Sequence, residues 1–293
     1  MRFMFADQPF PPLEADLPPE ALRVLSRATR HATPCGDGEL VWHAWGRAGD
    51  EPLVLLHGGS GSWTHWIRNV EAFAAAGRYV VVPDLPGFGD SARPPGGQDA
   101  DSVAPAVADG LRVLLGDAAV DVAGFSFGGL TGALMAAAHP ERVRHLVLIG
   151  APGLGLRDKR LPLTPWRGVE DAEKRMAAHR KNLATLMLHD PAKIDDLAVA
   201  LQAANVPRDR MHRRRLALTD ILAQTLPTLA CPVEAIWGQK DALYVEVMDA
   251  LAGKLATAPK FGELVFIAGA GHWVQYEAPQ ALQRELLRVL AGS

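Results

Sequence analysis

The apolar residues of this chain fall into short runs that are separated by longer segments of mixed character. The runs that are almost wholly apolar are residues 53–56, 79–82, 120–123, 146–149, 233–237 and 264–267. Continuous apolar strands of this length are typical of a parallel sheet that is buried on both faces. The pattern therefore predicts an α/β fold whose sheet is mostly parallel.

Helices are predicted between these strands and near both ends of the chain. Residues 71–76 and 103–115 are predicted to be crossover helices, and residues 278–290 a closing helix. The alternation of strand and helix implies right-handed βαβ units. A proline-rich start leads into a short predicted helix at residues 20–30. We therefore expect residues 1–35 to be an N-terminal extension that packs on the core.

The alternation of strand and helix is interrupted in the middle of the chain. Residues 170–188 and 195–204 are helical in character, and no convincing strand is predicted around them. We therefore predict one α/β domain with a helical insertion. The α/β core comprises residues 36–153 and 227–293, and residues 154–226 form a helical cap, or lid.

The strongest chemical signal is the sequence Gly-Phe-Ser-Phe-Gly at residues 124–128, which has Ser126 at its centre. It follows a predicted strand and precedes a segment of small residues, 130–138, that predicts a helix. A G-x-S-x-G sequence in this setting forms a tight, strained turn that presents the serine hydroxyl at the sheet edge. The flanking glycines allow neighbouring backbone to pass without a Cβ atom. Ser126 is therefore the predicted nucleophile.

A serine hydroxyl needs an adjacent base to act as a nucleophile at neutral pH. His272 follows the last apolar run, where a loop can reach across the sheet edge, and an imidazole exchanges protons near neutrality. Asp241 follows another predicted strand and is the candidate carboxylate that orients the imidazole. Helix capping is the structural alternative for Asp241. The chain order Ser126, Asp241, His272 is the order of nucleophile, acid and base in α/β-hydrolases.

Acyl transfer at Ser126 also needs backbone amides that bind the negative charge developing on the substrate oxygen. One predicted donor is the amide of Phe127, the residue after the nucleophile. The second is expected within residues 57–61, where Gly59 is preferred and Ser60 is the alternative. The residues predicted to contact the substrate are Ser60, His65, Trp66, Phe125 and Trp273. Core packing is the alternative role for the aromatic members of this set.

Composition and charge exclude other functional classes. The 293 residues are 48% hydrophobic and 22% charged, which is typical of a globular protein. A formal net charge of −3 argues against a nucleic-acid partner, because phosphate binding needs a concentrated positive surface. The arginines within residues 208–215 are interpreted as a solvated helix face, with binding of an anionic substrate as the alternative. The two cysteines show no metal-ligand spacing, and the predicted chemistry requires neither a metal nor an organic cofactor.

The sequence also gives expectations about location and association. Cys35 and Cys231 lie far apart and are expected to be reduced thiols. The first residues lack the apolar segment of a secretory signal, and no apolar segment is long enough to span a bilayer. We therefore expect a cytoplasmic protein with a small-molecule acyl substrate and no membrane partner. The oligomeric state is left open, with a homodimer as one alternative.

Taken together, these segments resemble the α/β-hydrolase fold family. The resemblance covers roughly residues 36–293, and its motifs follow successive strands in the same order as in that family. The motifs are His57-Gly58-Gly59, residues 84–89, residues 124–129, Trp237-Gly238 with Asp241, and Gly271-His272. The resemblance implies an eight-stranded, mostly parallel sheet with an active site beneath a variable helical cap.

A narrower, partial resemblance is to the meta-cleavage-product hydrolases, which hydrolyse a carbon–carbon bond in vinylogous diketone acids. It rests on His57-Gly58-Gly59 followed by Trp63, Arg68 and Asn69, and on residues 271–277. The chain departs from that family where His65 replaces an asparagine and where Leu201 falls at the position of a carboxylate-binding cap arginine. A buried carboxylate without a cationic partner is costly. An acidic substrate would therefore need another arginine, such as Arg180 or Arg208.

The resulting hypothesis is a serine hydrolase that cleaves a small or medium acyl substrate through an acyl-enzyme, with a carboxylic ester as the first choice. The alternative reaction is carbon–carbon bond hydrolysis with the same three residues. An alternative from another class is a hydrolase fold that only binds a ligand. The presence of Ser126, Asp241 and His272 together argues against a purely binding role.

Overall fold

An eight-stranded sheet forms the centre of the computed structural model, which describes residues 11–156 and 161–291. The strands are β1 (Thr29–Cys35), β2 (Gly38–Trp45), β3 (Glu51–Leu56), β4 (Arg78–Pro83), β5 (Val120–Phe125), β6 (Val143–Ile149), β7 (Val233–Gly238) and β8 (Phe261–Ile267). Their order across the sheet is β1-β2-β4-β3-β5-β6-β7-β8. β2 runs antiparallel to both of its neighbours, and the other neighbouring pairs are parallel. The predicted mostly parallel, eight-stranded α/β fold is confirmed.

Helices follow most of the strands and cover both faces of the sheet. They are α1 (Pro19–Leu25), α2 (Val70–Ala75), α3 (Ala100–Leu115), α4 (Phe127–Ala138), α5 (Ala172–Asn182), α6 (Asp196–Asn205), α7 (Ile221–Thr225), α8 (Met248–Leu255), α9 (Val274–Glu277) and α10 (Pro279–Ala291). The predicted crossover and closing helices correspond to α2, α3 and α10, with ends that differ by a few residues.

The burial of both sheet faces explains the continuous apolar strands. In β3, Val54 and Leu56 belong to the core on the side of α3 and α4. Leu53 and Leu55 belong to the core on the side of α2 and α10. All four side chains are fully buried. Burial of a valine or leucine side chain contributes about 1.5–3 kcal/mol, so every position of such a strand favours an apolar residue.

The sheet begins earlier than the sequence predicted. The helix predicted at residues 20–30 ends at Leu25, and β1 begins at Thr29 within the predicted N-terminal extension of residues 1–35. β1 pairs with β2 at the edge of the sheet, and most of its residues are exposed or half-buried. An edge strand with an exposed face carries polar residues and lacks the apolar run that marks the central strands.

The described part of residues 154–226 contains α5, α6 and α7, joined by short 3₁₀ and π-helical turns, and no strand. The Arg68 guanidinium forms a 2.5 Å ion pair with Asp195 at the start of α6 and stacks 3.8 Å from the centre of the Tyr276 ring. The Tyr276 hydroxyl donates a 2.5 Å hydrogen bond to Asp195. These contacts connect the helical insertion to the C-terminal part of the core.

The cysteines and helices agree with two further sequence observations. Cys35 and Cys231 are both free thiols in buried positions, and burial raises the pKa of each. Among the described residues, no helix is both long enough and apolar enough to cross a bilayer.

Candidate active site

Ser126 occupies a tight turn between β5 and α4, at the edge of the sheet where the parallel strands end. Its backbone lies in the left-handed region, with φ +50° and ψ −118°, which is strained for a residue other than glycine. The neighbouring glycines leave no room for side chains. A Cβ atom on Gly124 would lie 2.5 Å from the Gly128 carbonyl oxygen, and one on Gly128 would lie 2.5 Å from that of Leu56. The turn therefore depends on glycine at both positions.

Ser126, His272 and Asp241 form one hydrogen-bonded chain. His272 Nε2 lies 3.0 Å from Ser126 Oγ, and His272 Nδ1 lies 2.7 Å from Asp241 Oδ2. Because a carboxylate accepts hydrogen bonds, Nδ1 donates to Asp241 and Nε2 is left to accept from the serine hydroxyl. Asp241 is fully buried, and its Oδ1 accepts a 2.9 Å hydrogen bond from the Leu243 amide. The carboxylate is therefore held in a fixed orientation toward the imidazole.

Phe127 and Gly59, the residues predicted to supply the oxyanion-binding amides, both line the same cavity as Ser126. Phe127 is the first residue of α4, where a helix leaves its amide groups without intrahelical partners. Within the described chain, neither the Phe127 amide nor the Gly59 amide donates to another protein group. The same is true of Ser60, the alternative donor. Both preferred residues line the cavity that contains Ser126, so their amides are available to an oxyanion there.

A cavity of about 270 Å³ opens above Ser126. Its walls are mostly apolar, with a contribution from the helical insertion. The lining residues from residues 154–226 are Leu161, Leu163, Leu186, Met187, Arg214, Ala217 and Leu218, and those from the core are Gly58, Gly59, Ser60, Phe125, Ser126, Phe127, Pro152, Leu243 and His272. Ser60 and Phe125 were predicted to contact the substrate, and both line this cavity.

Three residues predicted to contact the substrate lie outside the cavity lining. His65, Trp66 and Trp273 are buried behind the loop that follows β3. The Trp273 indole donates to the His65 carbonyl at 2.9 Å, and His65 Nδ1 accepts from the Gly58 amide at 3.2 Å. The His65 and Trp273 rings lie 5.0 Å apart between their centres, and all three side chains are buried, as in the core-packing alternative that the sequence left open.

Arg214 lines the cavity, although the sequence did not single it out from the other arginines within residues 208–215. Among the described residues that line the cavity, it carries the one permanent charge. Its Nη2 forms a 2.6 Å ion pair with Asp209 and lies 3.3 Å from Ser60 Oγ. The solvated-face interpretation therefore does not hold for Arg208 or Arg214, and binding of an anionic substrate stays the alternative for this cluster. Nothing in the local sequence distinguishes Arg214 from the arginines beside it.

The two arginines suggested by the sequence as carboxylate partners lie elsewhere. Arg180 donates to the Ile194 carbonyl and pairs with Asp196 at the surface. Arg208 is buried and pairs with Asp16 at 2.6 Å, while also donating to the Pro11 carbonyl. Arg208 therefore fixes the N-terminal segment to the helical insertion.

Glu277 supports the loop that carries His272. Its buried carboxylate accepts hydrogen bonds from the amides of Gly271 at 2.6 Å, Asp190 at 2.6 Å and His189 at 3.2 Å. The Trp273 amide donates to the Met187 carbonyl at 2.7 Å. These bonds attach the histidine loop to the helical insertion on both sides of His272. The sequence placed Glu277 only within a motif, and its role depends on backbone groups far away in the chain.

His57 braces the loop that contains Gly59. Its Nε2 accepts from the Leu85 amide at 2.8 Å, and its Nδ1 donates to the Gly58 carbonyl at 2.7 Å. Burial is the main reason that the pKa of His57 is lowered to about 4. The neutral ring is the form that both hydrogen bonds require. Burial also lowers the pKa of His65 well below its ordinary value.

The depressed pKa of His57 predicts a specific pH dependence of stability. A histidine in an unfolded chain titrates near pH 6.5. Between that value and about 4, the unfolded chain binds a proton that the native protein does not, so native stability falls as the pH falls. The His57→Gln variant has no titrating side chain at this position, so this loss of native stability at low pH does not occur in it. The stability advantage of the wild type over His57→Gln should therefore narrow by about 2–3 kcal/mol between pH 7 and pH 4.

Urea titrations of both proteins across this pH range measure the change. His57→Gln lowers stability at pH 7 because it removes a buried ring with two hydrogen bonds. His212→Gln, at an exposed position, is the matched control. An advantage of the wild type that stays constant or widens as the pH falls would contradict the assignment of a neutral His57.

Among the described residues, no group of three or more histidine, cysteine, aspartate or glutamate side chains is arranged to hold a metal ion.

Comparisons with known proteins agree with this architecture. The profile of the family described as "alpha/beta hydrolase fold" matches residues 51–279. A 2-hydroxy-6-oxo-6-phenylhexa-2,4-dienoate hydrolase from Burkholderia cepacia is 28% identical over 286 residues, which cover 92% of this chain and 93% of that protein. This similarity confirms the partial resemblance to carbon–carbon bond hydrolases.

Solved structures share the fold along most of the chain. A bacterial membrane phospholipase A superposes with a TM-score of 0.70 at 25% identity, covering 92% of this chain and 88% of that one. The esterase RhEst1 from Rhodococcus sp. ECU1013 superposes with a TM-score of 0.71 at 23% identity, covering 90% and 98%. At 23% identity, the similarity to RhEst1 shows a shared fold and nothing more. Sheet topology, nucleophile turn and family profile lead to one conclusion: this chain belongs to the α/β-hydrolase fold family.

Proposed function

We propose that this protein is a serine hydrolase that cleaves a small or medium carboxylic ester through an acyl-enzyme. The observation that carries this proposal is the continuous hydrogen-bonded chain from Ser126 through His272 to Asp241, at the base of a cavity. An α/β-hydrolase relative of known structure that is named as a phospholipase A also acts on esters, which supports the choice of reaction.

In the proposed mechanism, Ser126 Oγ attacks the ester carbonyl carbon while His272 Nε2 takes the hydroxyl proton. The amides of Phe127 and Gly59 bind the oxyanion of the tetrahedral intermediate. His272 then protonates the leaving alcohol, and the acyl group remains on Ser126. Water attacks this acyl-enzyme with His272 again acting as base, which releases the acid. Asp241 stabilises the imidazolium that forms in each half of the reaction.

The cavity supports a substrate of modest size. Its volume of about 270 Å³ is at the lower end of ligand pockets, and its walls are mostly aliphatic. Leu161, Leu163 and Leu218 of the helical insertion line this space together with Ser126. An apolar acyl chain would bury surface against them, at about 25 cal/mol per Å².

Carbon–carbon bond hydrolysis is the second candidate. The relative from Burkholderia cepacia is named as a hydrolase of a 2-hydroxy-6-oxo-dienoate, the type of acid that meta-cleavage-product hydrolases cleave, and the match covers 92% of this chain. Arg214 supplies a cation at the cavity wall, where a substrate carboxylate would need one. Two observations weigh against this candidate: His65 is buried outside the cavity, and Leu201 is fully buried in the core.

A direct comparison of substrates tests the proposal. We expect rapid turnover of p-nitrophenyl acetate and butyrate, and no loss of absorbance from a vinylogous diketone acid. Turnover of the diketone acid alone would favour the second candidate. A fluorophosphonate probe should label Ser126 irreversibly in the wild-type protein. Failure of both labelling and turnover would support a purely ligand-binding role instead.

A further inference from the structure

A cluster formed by Ser60, Asp209 and Arg214 joins the helical insertion to the loop that follows β3. Ser60 Oγ donates a 2.5 Å hydrogen bond to Asp209 Oδ2, and Arg214 Nη2 donates to the same oxygen at 2.6 Å. Asp209 Oδ1 accepts from the Met211 amide at 2.9 Å. The carboxylate is nine-tenths buried. Asp209 therefore binds both a residue of its own segment and a residue beside the proposed oxyanion donor.

The backbone of Ser60 is strained, and Asp209 holds it in place. Ser60 has φ +56°, and it shares a positive φ with only one other non-glycine residue among those described, the proposed nucleophile Ser126. A left-handed backbone is unfavourable for a residue with a Cβ atom, because the Cβ atom crowds the following carbonyl oxygen. Such a conformation persists when surrounding contacts maintain it. The shortest contact of the Ser60 side chain is its 2.5 Å hydrogen bond to Asp209, and the 3.3 Å contact from Arg214 is itself held by the same carboxylate.

Arg214 packs directly on Gly59. A Cβ atom added at Gly59 would lie 2.4 Å from Arg214 Nη1, so the guanidinium occupies the space that a side chain would need. The same guanidinium lies 5.6 Å from the centre of the Phe127 ring. The cluster thus touches both residues whose amides are the proposed oxyanion donors. Its acidic member, Asp209, fixes the guanidinium through the ion pair.

We propose that Asp209 is a positioning residue for the oxyanion hole. By holding Ser60 in its left-handed conformation and Arg214 against Gly59, it fixes the Gly59 amide at the distance that the oxyanion needs. The helical insertion then contributes to catalysis as well as to substrate binding, because its contacts with the loop after β3 position one of the two proposed oxyanion donors. This inference rests on the proposed function, because it assigns a cause for the geometry of that same site.

The first test is Asp209→Ala, assayed with p-nitrophenyl butyrate. Loss of a whole oxyanion donor costs about a hundredfold to a thousandfold in turnover. We expect displacement of one donor to lower kcat by about tenfold to a hundredfold, with a much smaller change in KM. Asp209→Asn, which keeps the shape of the side chain, should also lower kcat, but by a smaller factor than Asp209→Ala.

Two ketone inhibitors distinguish positioning from a general structural role. The Ser126 hydroxyl adds to the carbonyl carbon of an alkyl trifluoromethyl ketone, and the resulting adduct presents an oxyanion to the amides. The matching methyl ketone binds mainly through its alkyl chain. In Asp209→Ala, we expect the inhibition constant of the trifluoromethyl ketone to rise by the same factor by which kcat falls. The inhibition constant of the methyl ketone should change by less than about threefold. An equal loss of affinity for both ketones would overturn the inference.

A second-site change provides the sharpest test. Glycine adopts a positive φ without the penalty of a Cβ atom. Ser60→Gly in the Asp209→Ala background should therefore recover much of the lost kcat, because the loop conformation no longer depends on the carboxylate. Ser60→Ala in the same background removes the same hydroxyl but keeps a Cβ atom, so the positive φ stays unfavourable. This double variant should not recover the lost kcat. Equal activity of the two double variants would overturn the inference.

Asp196→Ala is the matched control, since Asp196 is an exposed carboxylate on the same helical insertion that pairs with Arg180 away from the cavity. It should leave kcat and both inhibition constants at wild-type values. If the wild type hydrolyses esters while the Asp209 variants retain full kcat, the proposed function stands and the positioning role fails. If the wild type neither hydrolyses esters nor reacts with a fluorophosphonate, both proposals fail.

Discussion

Ser126→Ala is expected to lower the turnover of p-nitrophenyl butyrate by about a millionfold, because the proposed acyl-enzyme forms on the Ser126 hydroxyl. The melting temperature should change by only a few degrees, since the hydroxyl contributes one hydrogen bond to a half-exposed position. Stopped assays at high enzyme concentration measure the residual rate, and calorimetry measures the melting temperature. The residual activity should come from the oxyanion donors and substrate binding alone.

The control for this variant is Ser26→Ala, at an exposed serine far from the cavity. Ser26→Ala should turn over esters at the wild-type rate, and a fluorophosphonate should label it but not Ser126→Ala. Wild-type-like turnover in Ser126→Ala would eliminate the proposed mechanism. Loss of both turnover and the cooperative unfolding transition would mean that the serine supports the fold instead.

Asp241→Asn is expected to lower kcat by about ten-thousandfold. The isosteric amide can turn its NH₂ group toward His272 Nδ1, which then accepts a hydrogen bond and leaves the proton on Nε2. An imidazole in that tautomer cannot take the proton of Ser126, although the three side chains keep their positions. In the wild type, the 2.7 Å hydrogen bond from Nδ1 to the buried Asp241 carboxylate keeps the proton on Nδ1 and so prevents the change of tautomer. Steady-state kinetics with p-nitrophenyl butyrate measure the loss.

Asp249→Asn is the control for the charge change, because Asp249 is exposed on α8 and lies in the same part of the chain. A loss of less than about tenfold in Asp241→Asn would mean that another group orients the imidazole. Reaction with a fluorophosphonate should also be slowed in Asp241→Asn, since the same proton transfer activates Ser126 toward phosphorus.

The central strands could be predicted because their environment is uniform. Residues of β3, β5 and β6 are buried on both faces, so a continuous apolar run was a sufficient signal. β1 lacked this signal because it lies at the sheet edge and is largely exposed. Its pairing with β2 is decided by backbone hydrogen bonds, which polar side chains do not reveal.

The proximity of Ser126, Asp241 and His272 could be anticipated for a related reason. Each follows a strand, and the carboxyl ends of parallel strands meet at one edge of the sheet. The chain order of the three residues added specificity. The cavity wall could not be anticipated, since it depends on how residues 161–226 fold over that edge. His65, Trp66 and Trp273 illustrate this limit, because an aromatic residue in a loop fits a core or a pocket equally well.

The fold class, the glycine-flanked turn at Ser126 and the order of Ser126, Asp241 and His272 could be inferred from the sequence alone, because apolar runs and glycine requirements are local properties. Only the tertiary structure decided that Arg214 faces the cavity while Arg208 is buried against the N-terminal segment. Neighbouring arginines have the same local chemistry, and their directions depend on packing against parts of the chain more than a hundred residues away.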